Sequence, residues 1–135
     1  MAYTPTELAS PFARLGGEPT VSRLVTSFYD QMELTEPRLA ALHELEQGRV
    51  SAGSRQNFSL FLIEWLGGPR HFSASRGHPR LRMRHARVAI DESMRDAWLR
   101  CMARALDEQG IFGDVRGFLD ARFAEVANFL RNVPV

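Results

Sequence analysis

Residues 64–90 read EWLGGPRHFSASRGHPRLRMRHARVAI, and the interpretation of the whole chain depends on this stretch. It opens with the last turn of an apolar helix, which ends at Gly67-Gly68-Pro69 because glycine adopts left-handed backbone and proline cannot continue a helix. A loop then runs to a second break at Gly77-His78-Pro79, and beyond it His85 lies among arginines and aliphatic residues. This pattern favours a histidine that presents one ring nitrogen to an apolar cavity, beside cations able to hold an anion.

Length and composition place the chain among single-domain globular proteins. Its 135 residues suffice for one apolar core, so we expect a single domain over residues 1–135, with residues 1–10 loosely ordered. No apolar run approaches the roughly 20 residues of a membrane span, and the first ten residues do not form a secretory signal. A cytoplasmic location is therefore expected. The single cysteine, Cys101, excludes an internal disulfide and a cysteine-based zinc site.

The cationic side chains other than histidine are all arginine, and the formal net charge is only +1. Arginines dominate residues 70–104, where Asp91, Glu92 and Asp96 are the only acids. Arginine binds carboxylate and phosphate in a planar, bidentate geometry, although an individual arginine is equally well explained by a solvated surface. The pattern leaves open a module that binds nucleic acid or an acidic partner, but the net charge gives that reading no global support.

Apolar residues elsewhere recur with helical spacing, and no segment alternates with period two. We expect an all-α protein with about five substantial helices and two short ones. Long helices are predicted over 18–34, from Ser51 or Ser54 to Leu66, over 91–109 and over 114–132, with Asp91 and Asp114 as N-caps. Short helices are predicted over 10–15 and 36–43, and a loop over 44–53. Apolar stripes of this kind more often form an ordinary core than enclose a flat apolar object.

Five blocks occur in order along the chain: LGG at 15–17, SFYDQM at 27–32, EWLGGPRHF at 64–72, GHPRLRMRH at 77–85 and RDAWLRCM at 95–102. Together they make residues 12–102 resemble the group II truncated haemoglobins, a family of small globins of bacteria and plants. The last two blocks in combination are highly specific. The resemblance implies a two-over-two helical sandwich around haem, in which helix 19–34 pairs with 54–66 and helix 91–109 pairs with 114–132.

The resemblance makes His85 the proximal ligand of haem b, iron protoporphyrin IX. A neutral imidazole is a good iron ligand, and its other ring N–H normally needs an acceptor that fixes the tautomer. On a helical turn, the Leu81 carbonyl four residues earlier is the expected acceptor. Without the surrounding motif, a lone histidine near aliphatic residues is more often structural or exposed.

Five side chains are expected on the distal side of haem. The resemblance gives Trp98 and Tyr29 the positions of the family's distal tryptophan and tyrosine, and gives His43 a third polar position. The Trp98 indole donates a hydrogen bond and cannot accept one, whereas His43 is expected to donate to the ligand or to Tyr29 and to make the network sensitive to pH. Each has an ordinary alternative: a core tryptophan, a boundary tyrosine or an exposed loop histidine. Ser54 is expected at the ligand gate and Phe58 in the apolar distal wall.

Further residues are expected to hold the haem itself. Its propionates imply a cationic rim, for which the candidates are Arg84, Arg76 and Arg82, with His78 a weaker one. Phe72 stands where the family usually has tyrosine, which removes a hydroxyl able to reach a propionate. The apolar residues expected to contact haem are Phe61, Leu62, Phe72, Leu81, Val88 and Met102.

The function implied by the resemblance is reversible binding of dioxygen, carbon monoxide, nitric oxide or other small ligands at the haem iron. A distal network of tryptophan, tyrosine and histidine predicts slow oxygen release, which favours scavenging, sensing or redox chemistry over storage. The alternative is an enzyme on the same haem, either a nitric oxide dioxygenase or a peroxidase-like catalyst. A dioxygenase would need an electron-donating reductase, because the chain has no flavin or nicotinamide motif. We expect a monomer or homodimer with no nucleic-acid or membrane partner.

Overall fold

Helices form most of the protein, and one short hairpin interrupts them. The computed structural model describes residues 10–81, 85 and 88–132. Within these residues the helices are α1 Pro11–Leu15, α2 Glu18–Thr35, α3 Pro37–Ala40, α4 Ala52–Trp65, α5 His71–Arg76, α6 Glu92–Glu108 and α7 Asp114–Leu130. Strands β1 Leu45–Glu46 and β2 Arg49–Val50 pair antiparallel between α3 and α4. The predicted all-α class is confirmed.

Four of the described helices are long and three are short, whereas the sequence predicted about five and two. The segment around His85 is described only in part, and the predicted looseness of residues 1–10 falls, except for Ser10, outside the described residues. None of the described helices is both long and apolar enough to cross a bilayer.

Side-chain caps begin three of the helices at predicted positions. Ser10, Ser51 and Asp91 each accept a hydrogen bond from the backbone N–H three residues later, at 3.2, 3.1 and 2.9 Å. The prediction for the last helix was wrong by one residue: Asp114 is its first residue, and Gly113 is the N-cap. Gly113 has φ 81°, a conformation that glycine adopts without steric cost.

The segment 44–53, predicted as a loop, contains the β1–β2 hairpin and the start of α4. Its two central residues, Gln47 and Gly48, have φ 54° and 81°, as a tight two-residue hairpin turn requires. Strands of two residues are too short to show alternation, and glutamine is an unusual residue at the first turn position. The sequence therefore gave little sign of this hairpin.

The segment between Gly68 and Gly77, also predicted as a loop, contains α5. A side chain from α4 stabilises its first turn, because the Ser73 N–H donates to the Glu64 carboxylate at 2.9 Å and the Ser73 hydroxyl donates to the same carboxylate. Six residues are too few for a helical period to be recognised. The contact that stabilises them comes from another helix, which no local pattern reveals.

Packing places α2 at the centre of the protein. Leu24, Phe28 and Met32 of this helix are at most 1% exposed. α2 makes its most extensive contacts with α6 and then with α4, and α6 packs against α7. The two predicted helical pairs are thus in contact, and α2 with α6 joins one pair to the other.

A cluster of ion pairs ties the hairpin to α2. Arg49 contacts Asp30 at 2.7 Å and Glu33 at 3.1 Å, and Arg55 contacts the same two carboxylates at 3.1 and 2.8 Å. The Val50 N–H also donates to Glu33 at 2.7 Å. Burial alone would raise the pKa of Glu33, but these hydrogen bonds outweigh it and hold the pKa below its usual range. The cluster fixes the chain between α3 and α4 against α2.

Two chain segments approach each other closely at Gly68. The Phe12 N–H donates to the Leu66 carbonyl at 2.9 Å, and the Gly68 N–H donates to the Ile63 carbonyl at 2.8 Å. A Cβ atom on Gly68 would lie 2.9 Å from both the Ile63 carbonyl oxygen and the Phe12 ring. Because neither helix backbone nor a packed ring moves freely, glycine is the residue that fits here.

We therefore expect Gly68→Ala to lower the free energy of unfolding by about 1–3 kcal/mol, the usual cost of overpacking. Urea unfolding measures the change. Gly117→Ala is the matched control, because a Cβ at this α7 position meets nothing within 4 Å and alanine is the better helix former. Equal effects of the two substitutions would contradict the close approach at Gly68.

Candidate functional site

A largely apolar cavity of about 470 Å³ lies between the helices, within the size range of cofactor and ligand pockets. Its walls come from the six helices α2 to α7, from the chain between α3 and α4, and from the segment that contains His85. The structure brings together at this cavity most of the residues predicted for the site, namely Tyr29, His43, Ser54, Phe58, Phe61, Leu62, Phe72, Leu81, His85, Val88 and Trp98.

The imidazole of His85 is held by one short hydrogen bond. Its Nδ1 lies 2.6 Å from the Leu81 carbonyl oxygen, four residues earlier, as expected from the sequence. Since a carbonyl only accepts, Nδ1 carries the proton and the neutral ring keeps a lone pair on Nε2. This is the tautomer that a metal-ligating histidine needs.

Aromatic rings pack edge to face along the other walls of the cavity. The Trp98 ring centroid lies 5.2 Å from that of Phe28, 6.3 Å from Phe58 and 5.7 Å from Phe123. Phe58 also contacts Tyr29, at 5.9 Å between centroids. These contacts restrict the rotation of the indole and phenol rings, so their polar atoms have fixed directions.

Two neutral donors border this aromatic wall. Tyr29 is 5% exposed, and burial raises the pKa of its phenol, an effect that the Arg55 guanidinium only partly offsets. The hydroxyl therefore stays protonated at neutral pH. Within the described part of the chain, neither the Tyr29 hydroxyl nor the Trp98 indole N–H has a hydrogen-bond partner. Both remain available to a molecule in the cavity.

One hydrogen bond decides which tautomer neutral His43 adopts. Its Nδ1 lies 3.0 Å from the Leu39 carbonyl oxygen, so Nδ1 is the donor and Nε2 of the neutral ring can only accept. Its ring lies 5.6 Å from the Tyr29 ring. Neutral His43 is therefore an acceptor beside the Tyr29 donor, and it cannot donate to a ligand until it gains a proton.

Burial also lowers the pKa of His43, and the nearby His85 imidazole acts in the same direction against the carbonyl hydrogen bonds. A lowered pKa in the folded state makes the protein most stable above about pH 6.5, with stability lost as the pH falls towards the folded pKa. We expect His43→Phe to flatten this part of the stability profile. Thermal unfolding between pH 8 and pH 5 tests it, and parallel profiles for both proteins would show that His43 titrates normally.

Among the residues predicted to hold propionates, the two that the structure describes, Arg76 and His78, lie away from the cavity wall. Arg76 is exposed, donates to the Ser75 hydroxyl at 2.8 Å and lies over the Phe72 ring at 5.8 Å, but it does not line the cavity. His78 accepts from the Arg80 N–H at 3.0 Å and is likewise away from the wall. The predictions for Arg82 and Arg84 lie outside the described residues.

Met102, predicted to contact haem, is 1% exposed in the core and is not part of the cavity wall. Arg95 does line the cavity and was not predicted. It contacts Asp96 at 3.0 Å and the Asn128 side chain at 3.0 Å. Its position three residues before Trp98 puts both on one helical face, and this spacing was the available signal.

The arginines of α6 are largely neutralised by nearby acids. Arg100 makes a bidentate contact with Glu36 at 2.9 and 3.1 Å, and Arg104 lies 3.7 Å from the same carboxylate. Together with the contact between Arg95 and Asp96, these pairs leave no unopposed cationic face on α6. Within the part of the arginine-rich stretch that forms α6, the arginines are therefore engaged with neighbouring acids and do not form the cationic face that a nucleic-acid module would need.

The described residues contain no group of three or more histidine, cysteine or acidic side chains able to hold a metal ion. A metal held by His85 would need its other ligands from a cofactor. A porphyrin supplies such ligands and also has the flat apolar surface that the aromatic wall can cover. The residues of the cavity therefore fit haem.

Comparisons with known proteins agree with this fit. The bacterial-like globin family matches residues 10–129. The chain is 34% identical over 116 residues to group 2 truncated hemoglobin YjbI of Bacillus subtilis, covering 86% of this chain and 84% of that protein. The group II truncated hemoglobin of Bacillus anthracis superposes with a TM-score of 0.86 at 32% identity, covering 93% of both chains. A truncated oxygen-avid haemoglobin from Bacillus subtilis superposes with a TM-score of 0.82 at 32% identity, covering 91% and 99%. The predicted two-over-two sandwich is confirmed.

Proposed function

This chain belongs to the bacterial-like globin family, as a group II truncated haemoglobin, and from that premise we propose that it binds dioxygen reversibly and releases it slowly. Membership in the family makes it a haem protein for small diatomic ligands. The further parts of the proposal are that His85 is the proximal ligand and that Trp98 and Tyr29 retain the bound ligand.

The observation that carries the proposal is the fixed tautomer of His85 at the wall of an apolar cavity. The proton on Nδ1 is committed to Leu81, so the lone pair on Nε2 is free to bind iron without prior deprotonation. A hydrogen bond of this kind also raises the basicity of the imidazole and fixes its ring plane. Haem held by His85 would supply an iron atom able to bind a small ligand.

We propose haem b as the form of the cofactor. Covalent attachment of haem uses a C-x-x-C-H motif, which the sequence lacks. The single cysteine, Cys101, is fully buried in the core, and burial raises the pKa of its thiol to about 11. It is therefore unsuited to either covalent attachment or thiolate ligation, which leaves His85 and apolar packing to retain the cofactor.

Slow release follows from the two donors that border the cavity. The Trp98 indole and the Tyr29 hydroxyl donate to a ligand that carries partial negative charge, and each such charge-assisted bond contributes about 1.5–3 kcal/mol. Neutral His43 can only accept, so it does not add a third donor, and a hydrogen bond from Tyr29 to His43 would compete with the bond from Tyr29 to the ligand. The oxygen-avid relative from Bacillus subtilis supports a high affinity here too.

A redox enzyme on the same haem, acting on nitric oxide or peroxide, is the second candidate, and one row of rings favours it. Trp98 lies 5.7 Å from Phe123, which lies 5.1 Å from the half-buried Trp65, and all three rings line the cavity. Tryptophan is oxidisable, so two side chains able to give up electrons border the site. Turnover of nitric oxide or peroxide, measured with and without a reductase, separates an enzyme from a carrier.

We expect His85→Ala to abolish the histidine-ligated haem spectrum and to weaken haem retention strongly, because the other described histidine at the cavity, His43, lies on a different wall, beside Tyr29. Optical spectra of the ferric, ferrous and carbonmonoxy forms measure this. His78→Ala is the control, since His78 is exposed and away from the cavity. An unchanged spectrum for His85→Ala would exclude His85 as the ligand.

Trp98→Phe and Tyr29→Phe should each speed oxygen release by roughly 10- to 10²-fold, and the double substitution by 10²- to 10⁴-fold. Stopped-flow displacement of oxygen measures the rates. Phe118→Leu, on the exposed face of α7 and away from the cavity, is the control for general effects of losing an aromatic ring. A wild-type release rate in Trp98→Phe would remove the indole from the proposal, whatever happens with Tyr29→Phe.

A further inference from the structure

We propose that Asn132 is a positioning residue that holds the segment carrying His85 against the C-terminal end of α7. The inference rests on the proposed function, because this position matters most if His85 is the haem ligand. Asn132 does not line the cavity, and nothing in its sequence context marks it. Its role follows from its contacts.

Asn132 makes four hydrogen bonds to the backbone around His85. Its Nδ2 donates to the Val88 carbonyl at 2.8 Å and to the His85 carbonyl at 3.3 Å. Its Oδ1 accepts from the Ile90 N–H at 2.8 Å, and its own backbone N–H donates to the Ile90 carbonyl at 2.9 Å. Both amide donors and the amide oxygen are thus used on groups 42 to 47 residues earlier in the chain.

The backbone of residues 88–90 needs hydrogen-bond partners from other parts of the protein. Residues 88–90 are neither helix nor strand, and the backbone groups of an irregular segment must be satisfied by side chains, water or another element. Inside the segment, the Val88 N–H donates to the His85 carbonyl at 3.0 Å. Val88 and Ile90 also line the cavity. Asn132 therefore acts on the stretch that joins the proximal histidine to α6.

Contacts with α6 fix the end of α7, which lies next to Asn132. The neighbouring Arg131 forms an ion pair with Glu92 at 2.8 Å, and the Asn128 side chain accepts from Arg95 at 3.0 Å. Both contacts reach the first turns of α6. Asn132 thus connects the His85 segment to the junction of α6 and α7, and a shift of either helix would move the imidazole.

The test uses the haem-loaded protein and three variants: Asn132→Ala, Asn132→Asp and Arg131→Ala. Arg131→Ala is the matched control, because it breaks a contact at the same helix end but none with the His85 segment. The measurements are the rate of haem transfer to excess apomyoglobin, the iron–histidine stretching band of the ferrous protein, and amide hydrogen exchange at residues 88–90. The first two report on the haem ligand, and the third reports on the backbone bonds alone.

We expect Asn132→Ala to lose haem about tenfold faster, which corresponds to about 1.4 kcal/mol, with a shifted iron–histidine band and faster exchange at Ile90. Asn132→Asp keeps an acceptor for the Ile90 N–H but turns carboxylate oxygen towards two carbonyls. It should therefore lose haem at least as fast while retaining protection at Ile90. Arg131→Ala removes one partly exposed ion pair and should therefore change all three measurements much less than either Asn132 variant does.

Two results would overturn the proposal. The first is a haem transfer rate and an iron–histidine band that are unchanged in both Asn132 variants. The second is an equally large effect of Arg131→Ala, which would reflect fraying of α7. If Asn132→Ala does not fold, Asn132→Asp against Arg131→Ala gives the same decision. Failure of the proposed function would give a different result. A wild-type protein without an iron–histidine band would refute ligation by His85. Hydrogen exchange at Ile90 would still test the contact between Asn132 and the Ile90 backbone.

Discussion

The hydrogen bond from His85 to the Leu81 carbonyl is the interaction on which the site depends. It sets which nitrogen carries the proton, and it fixes the ring relative to its own backbone. Because the two partners are only four residues apart in the chain, the bond cannot fix the ring relative to the rest of the protein. That task falls to contacts from other elements, of which the four bonds from Asn132 are the most direct among the described residues.

For the polar residues near the aromatic wall, constant charge matters more than the position of a ring. There the charge state must not change, since a charged group in an apolar cavity would hold water or counter-ions. Burial favours the neutral form of both titratable groups, because it raises the pKa of the Tyr29 phenol and lowers the pKa of the His43 imidazole. Both stay neutral near pH 7. The protein thus offers a ligand donors of fixed charge, and their directions are set by ring packing.

The family resemblance, together with local features of the sequence, predicted most of the residues that line this cavity. The caps at Ser51 and Asp91 and the four-residue spacing of Leu81 and His85 depend on neighbouring residues, so one-dimensional patterns contain them. Features that depend on distant partners were missed: α5 is stabilised by Glu64 from another helix, and Asn132 acts across more than forty residues. Met102 shows a further limit of sequence patterns. An apolar stripe on a helix predicts which positions are buried, but it does not tell whether they face the core or the cavity.

The lining of the cavity connects function to stability. The cavity is lined mostly by apolar side chains, so a large apolar occupant would bury that surface, and its binding would stabilise the folded state by mass action. Contacts outside the cavity fix parts of its walls independently of the occupant. The ion pairs of Arg49 and Arg55 hold the hairpin on α2, and the contacts at the end of α7 hold α7 on α6.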